Sequence, residues 1–415
     1  MSAGLCFLTG VNMKTTDSRK LLRYFFIISA FQSLAANFAH PATPTLIQNL
    51  GLNDYMFGVA FAGMSLTNFL FSPFWGKISD QIGRRKVLGI AGVGYAVGQI
   101  VFGMATTELG ILLGRMLSGF FIGGWNVAQL SYIMDHSDAA TKGKNFTLLA
   151  TIQSVCGAAG YLIGGYIAEY SIGVMFVCQA VCLTLGGIAF YLFCGDNTSK
   201  HFENTVKVGE ALKGSNPFGA FMKVGKQMSA VMIIVLVIAL LATFSSTAYD
   251  QCFNYFIKDQ LSFSPSNNGV MRAVLGLVAL VTNMTVGMWV MKKTDISKSF
   301  IIVLGLDSIV LTGLLFPSAL PVFVVINIIL YSLNTLINPL GQAVYALGIK
   351  DEKQSGAFMG VFNSIKSLGS VIGSLFAGFI YSTGPRLSFL YACVGFALAA
   401  ILAFRAYSMR KREAK

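Results

Sequence analysis

Five charged side chains stand inside runs that are otherwise apolar: Arg115, Asp250, Arg272, Asp307 and Lys366. A charge in such a setting is costly unless it is paired, hydrogen-bonded or wetted, so one that is kept there is a candidate for proton or ion handling. Asp250 sits among Tyr249, Phe253 and Phe256, which reduce its solvation, and is a candidate proton carrier. Arg272 lies at a similar depth on the next apolar run, so a structural salt bridge to Asp250 is the alternative reading. The two are compatible, because an ion pair that breaks on protonation can couple a proton to movement. Arg115 lies about 9 Å and Asp250 about 10 Å from the outer end of their runs, by the rise per residue of a helix. Arg115 is read either as a proton-coupling or anion-contacting group or as one half of a structural pair. Asp307 and Lys366 lie about 15 Å from the inner end. Asp307 is read as structural, with Lys366 either its partner or a cavity residue. His40, followed by Pro41 and Pro44, is read as a helix-end residue that could also titrate.

The elements that position these groups follow from composition. The chain has 415 residues, 55% hydrophobic and 11% charged, with a mean hydropathy of +0.68. That is more apolar surface than one water-soluble core of this length buries, so the remainder must face lipid. Helical spans need about 20 apolar residues each. Twelve are predicted, beginning near Leu21, Tyr55, Val87, Leu109, Phe146, Ile172, Ser229, Ser266, Ser299, Val322, Ala357 and Leu387. Outside the spans, every Lys and Arg except Lys258 and Arg386 falls on one set of connections, so both termini and the long middle loop are expected in the cytoplasm. The net charge of +13 is then a topology signal, and nucleic acid is not an expected partner. The seven cysteines lie in spans or on the inner side, which implies no exported disulfide framework. No nucleotide loop, metal cluster or nucleophile triad is present, so no enzyme activity, metal or cofactor is expected. Leu5–Leu8 is too short for a signal-peptide core, and Met1 and Met13 stand as equal candidate starts.

The two halves of the chain repeat each other. Gly58 and Gly76 match Gly269 and Gly287 at an offset of 211. At an offset of 213, Gln129, Tyr132, Asp138, Gly143, Ile152, Ser154, Gly160 and Gly165 match Gln342, Tyr345, Asp351, Gly356, Ile365, Ser367, Gly373 and Gly378. A run in order at nearly constant spacing argues for a duplicated six-span unit. The expected organisation is an inner tail (1–20), a six-helix bundle (21–194), a polar linker (195–228) with a weakly amphipathic piece at Val206–Leu212, a second bundle (229–408) and a short inner tail (409–415). Paired repeats around a central site suit a machine that opens alternately to each side.

Gly76, Asp80, Gly83, Arg84 and Arg85, between the second and third spans, match Gly-x-x-x-Asp-x-x-Gly-Arg-Arg. This resembles the loop signature of the major facilitator superfamily, and the resemblance covers essentially the whole chain. It implies an all-α membrane protein of twelve transmembrane helices in two pseudo-symmetric six-helix bundles. It also implies that Asp80 and Arg84 hold an inner gate shut, through the opposite half and Asp135 at the end of the fourth span. In the second repeat Met291 and Thr294 replace the Asp and the second Gly, implying a weaker gate contact there. Arg115 and Gly119 resemble the Arg-x-x-x-Gly signature of drug–proton antiporters in this family. Cys156, Gly160, Tyr161, Gly164 and Gly165 align with their Gly-x-x-x-Gly-Pro-x-x-Gly-Gly signature, without its proline. The plain reading of Gly157, Gly160, Gly164 and Gly165 is close helix packing, a stripe repeated by Gly369, Gly373 and Gly378.

In this fold spans one, four, seven and ten line the cavity, which implies a substrate-facing set of Gln32, Asn37, Trp125, Asn126, Gln129, Tyr249, Phe253, Asn334, Asn338 and Tyr345. Aromatics mixed with amides suit an amphipathic solute. Asn338-Pro339 marks a kink. The expected function is alternating-access secondary transport, as proton-coupled efflux of small amphipathic compounds or drugs, by a monomer in the cytoplasmic membrane. Its partners are a small molecule, protons and the lipid bilayer. The alternatives are a proton-coupled uptake symporter for an anionic or zwitterionic solute and a non-transporting membrane sensor.

Overall fold

The computed structural model describes residues 5–196, 208–213, 215–217, 219, 225–316, 319–349 and 355–413. Twelve long helices follow in chain order: α1 (Leu5–Ala36), α2 (Met56–Ile82), α3 (Arg84–Met104), α4 (Glu108–His136), α5 (Ala139–Tyr170), α6 (Ile172–Phe193), α7 (Ala230–Asp259), α8 (Pro265–Lys293), α9 (Ile296–Thr312), α10 (Leu320–Ala346), α11 (Ser355–Tyr381) and α12 (Leu387–Glu413). Among the described residues, eleven of them are long and apolar enough to cross a membrane. The exception is α1, which carries Arg19, Lys20 and Arg23 ahead of its apolar stretch, and a short helix, Thr43–Asn49, follows it. Polar residues set several helix starts. Thr107, Ser171, Ser229 and Ser264 each accept a hydrogen bond from a backbone N–H in the first turn of α4, α6, α7 and α8, and Asp295 accepts two at α9. Val208–Lys213 is helical, while the rest of the expected Val206–Leu212 piece lies outside the described residues.

The duplicated pattern becomes duplicated packing. In the first half α1 packs on α5, α3 on α4 and α6, and α2 on α4. In the second, α7 packs on α11, α9 on α10 and α12, and α8 on α10. The glycine stripes mediate this. A Cβ on Gly160 or Gly164 would lie 2.2 Å from Leu34 O or 2.3 Å from Phe38 O on α1 and the turn after it. The repeat counterpart of Gly160, Gly373, approaches Phe244 O of α7 in the same way, at 2.4 Å. Gly157 is looser, 3.3 Å from the Asn37 amide. Side chains such as Ile90, Val97, Val181, Ile302 and Ile309 stay exposed on outward faces, as lipid contact requires.

Across the halves, α5 meets α8 and α2 meets α11. Both crossings lie at the ends remote from the chain termini, here the far face. A Cβ on Gly165 would fall 2.5 Å from Pro265 O, and one on Gly269 2.5 Å from Tyr161 O. At the equivalent crossing, a Cβ on Gly58 would fall 2.1 Å from Ser374 O, and one on Gly378 2.5 Å from Tyr55 O. Polar contacts reinforce the seal. The Tyr255 hydroxyl donates to Asp54 at 2.5 Å, Asn268 to Pro41 O at 3.1 Å, Asn254 to His40 O at 3.3 Å and Gln48 to Asp259 at 3.3 Å.

A side chain at Gly58 should therefore force the far face apart. For Gly58→Leu we expect the distance between spin labels at Asn49 and Thr383 to lengthen. Gly305, with nothing within 4 Å of its Cβ position, is the control, and Gly305→Leu should leave the distance unchanged. An unaltered distribution in Gly58→Leu would show that this contact does not carry the seal.

Candidate transport site

On the terminal side of the far-face seal lies a two-lobed cavity. One lobe, of about 610 Å³, is lined by α2, α4, α5, α7, α10 and α11, and the other, of about 460 Å³, by α2, α7, α8 and α10. Ser246, Thr247 and Asn338 belong to both, joining them. An apolar hollow of comparable volume, about 610 Å³, lies against α3, α4 and α6 around Gly89, Val93 and Ile188, away from these charges.

In the smaller lobe Asp250 is met by Arg272 and Tyr331, both of which bond the same carboxylate oxygen. Arg272 also reaches the Tyr331 hydroxyl, and its Nη2 donates to the Asp250 backbone carbonyl at 2.9 Å. The two charges are placed unequally: the side chain of Arg272 is 6% exposed and that of Asp250 37%. The carboxylate is thus open to water and solute while the guanidinium is shut in, with its carbon 5.0 Å from the Phe253 ring centre and 5.8 Å from that of Tyr161 in the other half. The expected Asp250–Arg272 pair is made. Just beyond it α8 takes one π-helical turn at Asn283–Gly287, and Asn283 lines the same lobe.

Arg115 is buried, and among the described residues no carboxylate pairs with it. Its Nη2 donates to Thr43 Oγ1 at 2.9 Å, and its guanidinium covers the Phe102 ring at 3.9 Å. Lys366 lines the larger lobe, and its Nζ stands 5.9 Å from the Phe362 ring centre. Asp307 is fully buried in α9, with both oxygens unpartnered among the described residues, so the possible Asp307–Lys366 pair is not made.

Of the ten residues expected to face substrate, Asn126, Gln129, Tyr249, Asn334 and Asn338 line the cavity. The other five do not. Gln32 donates to Leu183 O at 3.1 Å between α1 and α6, and Asn37 to Ser33 O at 2.7 Å beside the α5 glycines. Trp125 belongs to the apolar core of the first half. Phe253 lies parallel to Phe323 at 6.0 Å, and Tyr345 stacks on Phe362 at 5.1 Å, both fully buried. Gln32 and Asn37 spend their amides on backbone carbonyls, a use that helix number alone does not separate from substrate contact. Lining residues outside the four expected helices were missed, notably Asn68 and Ser72 on α2 and Asn363, Ser367 and Ser370 on α11. The signal for them is a polar stripe at 363, 366, 367 and 370, helical spacing on one face.

The loop signature is built around Gly83, whose φ of +98° suits glycine alone. Asp196 crowds the place a Cβ would take, at 2.4 Å, and accepts the Arg85 N–H at 3.0 Å. Arg84 bonds Asp80 at 2.6 Å, Asp135 at 3.0 Å and Ser79 at 3.0 Å, joining the ends of α2, α3 and α4. These bonds run within the first half. Asp80 is 69% exposed, so in this state, sealed at the far face, its carboxylate is left largely to water. Gly76 sits beside Val127 of α4, 3.7 Å from its Cβ position.

The Major Facilitator Superfamily family model matches residues 25–348 and 235–415. The chain belongs to this superfamily. It is a multi-pass membrane transporter of the facilitator type, all-α and built from two six-helix halves. It is 23% identical over 385 residues to the quinolone resistance protein NorA of Staphylococcus aureus, covering 91% of this chain and 94% of that one. It is 26% identical over 366 residues to the class B tetracycline resistance protein of Escherichia coli, covering 86% and 87%. Its fold is similar to that of a bacterial homolog of the human lysosomal transporter Spinster, solved inward-facing and unoccupied. The TM-score is 0.76 with 13% identity, covering 94% of this facilitator and 96% of the other chain.

The unequal burial of the ion pair predicts unequal mutants. Asp250→Asn leaves a buried cation without its counter-charge and should lower the melting temperature, whereas adding Arg272→Met should recover part of the loss. With Asp250 more than a third exposed, a coupling of about 1 kcal/mol is expected from a double-mutant cycle. Additive losses would mean that the pair is not coupled.

Proposed function

We propose that this facilitator is a proton-coupled exporter of small amphipathic compounds, working by alternating access, with Asp250 as the proton carrier. The observation that carries the reading is that Asp250 lines the cavity while its counter-charge, Arg272, is buried at the crossing of the two halves. Arg272 lies one helical turn along α8 from Gly269, which meets Gly165 at the far-face seal, and its guanidinium reaches Tyr161 of α5. Protonation of Asp250 removes the attraction that holds Arg272. For proton-driven export Asp250 takes its proton while the far face is open and gives it up to the terminal side once that face is sealed, where Arg272 reclaims the carboxylate; solute crosses the other way between the same two states.

Direction and orientation rest on different grounds. Basic residues crowd the terminal face, which the positive-inside rule places in the cytoplasm of a cell membrane. Similarity to proteins named for quinolone and tetracycline resistance supports export. Arg115, which touches the residues after α1 through Thr43, is assigned a supporting role in coupling. The Asp80–Arg84–Asp135 cluster is assigned to the inner gate, in the state opposite to the one described.

Inverted vesicles loaded with acid and a pH dye test the reading with a panel of lipophilic cations, neutral amphiphiles and organic anions. A solute that enters should release protons in the wild type and not in Asp250→Asn. Further acidification on solute addition, or equal release by both proteins, would overturn proton-driven export. In the same vesicles Asp80→Asn should reach the membrane at normal levels and fail to transport; retained transport would remove the gating role.

A further inference from the structure

The larger lobe holds one charged side chain among the described residues that line it, the ammonium of Lys366. Among the described residues it makes no ion pair. The carboxylate of the adjoining lobe, Asp250, is taken up by Arg272 and Tyr331, and Asp307 lines neither lobe. The charge of the joined cavity is therefore one unmatched cation. Around it stand groups that can donate to an anion as well as accept from a neutral solute: Asn363 and Ser367 on its own helix, Thr247 and Ser370, themselves hydrogen-bonded at 3.3 Å, and Gln153 across the lobe.

The internal duplication sharpens this. Gln153 and Lys366 are repeat counterparts at an offset of 213, and both line this lobe. The Gln153 amide is engaged, donating to Gln129 Oε1 at 3.0 Å, and Gln129 in turn donates to Ser29 at 3.2 Å. One of two equivalent positions is thus a neutral amide tied into its own half, and the other is a cation held by nothing ionic. A cation removed from bulk water attracts a counter-ion. A packing role is already met at the equivalent site without charge, so packing does not explain the ammonium. The smaller lobe adds what an acid group alone does not need: Phe61, Tyr249, Tyr331 and Pro339 form an apolar and aromatic wall.

We propose that the transported solute is an amphipathic organic anion whose acid group is bound by Lys366 in the larger lobe while its apolar body lies against the aromatic wall of the smaller one. This rests on the transporter reading above and adds a substrate class to it. Exchange of a neutral amphiphile for its acid analogue moves one negative charge onto the Lys366 ammonium, a charge-assisted contact that supplies discrimination of about tenfold or more.

The test uses the purified full chain in detergent and three probes of one shape: 2-naphthoate, 2-naphthamide and 2-naphthylmethylammonium. Thermal stabilisation against probe concentration reports binding. In the wild type the naphthoate should bind about tenfold or more tighter than the amide or the ammonium. Lys366→Gln, which copies the residue at the equivalent position, should bind naphthoate and naphthamide alike, while Lys366→Arg should keep the preference. Absence of naphthoate binding by the wild type, a preference for the amide or ammonium, or an unchanged preference in Lys366→Gln would each overturn the proposal. Binding in detergent needs no proton gradient, so failure of proton coupling in vesicles leaves this result intact. Conversely, loss of the anion preference with proton release preserved removes the substrate class and leaves the exporter.

Discussion

Two backbone-to-backbone crossings hold the halves together, Gly165 on Gly269 and Gly58 on Gly378. Inside a membrane there is no hydrophobic gain in bringing helices together, so close association depends on van der Waals contact between smooth surfaces and on polar groups that satisfy one another. Glycine supplies the smooth surface. Each of these four positions lies so near a carbonyl of the opposing helix that a single added methyl group would collide. The crossings are equivalent under the internal duplication: Gly58 corresponds to Gly269 and Gly165 to Gly378, so each joins one residue from either repeat. Apolar side chains continue the contact: Met56, Phe57 and Ala60 belong to the same cluster as the core of the second half, and Phe57 stacks on Tyr255 at 4.7 Å, so opening this face must part them as well.

The charged groups are arranged around those crossings. Arg272 sits one turn from Gly269 and faces Asp250 within its own half and Tyr161 in the other. His40, whose carbonyl accepts from Asn254, stacks on Tyr161 at 5.4 Å. The seal is thus built of a smooth backbone contact and a nearby ion pair that water can reach from one side only. Placing the carboxylate toward the cavity and the guanidinium toward the crossing makes the pair sensitive to what enters the cavity. The reverse placement would leave Asp250 inaccessible to a proton.

At the terminal face the same economy appears in a different form. Gly83 permits the tight turn and the approach of Asp196, and the turn in turn delivers Arg84 to Asp80 and Asp135. Three helix ends are fastened through one guanidinium, with its remaining partner, Asp80, left largely in water. Such a cluster ties the ends of α2, α3 and α4 together within the first half.

Much of this was legible in the residues themselves. Hydropathy determined the helices, because lipid leaves a spanning backbone no partner but its own turns. Repeat spacing determined the duplication, since equivalent packing demands equivalent small residues, and the loop signature determined the Asp80–Arg84 pair, whose members are local in sequence. The Asp250–Arg272 pair could be named because equal depth on adjacent helices restricts the partners. Only the tertiary structure decided which polar residues face the cavity. Gln32 and Asn126 look alike in sequence, yet one caps a carbonyl between helices and the other meets solvent, a distinction set by helix rotation. It also decided that Lys366 and Asp307 do not pair, and that Gly165 and Gly58 serve the crossing between halves while Gly160 serves packing within one. Rotation about a helix axis depends on what every neighbouring helix presents, and that is information no single stretch of chain contains.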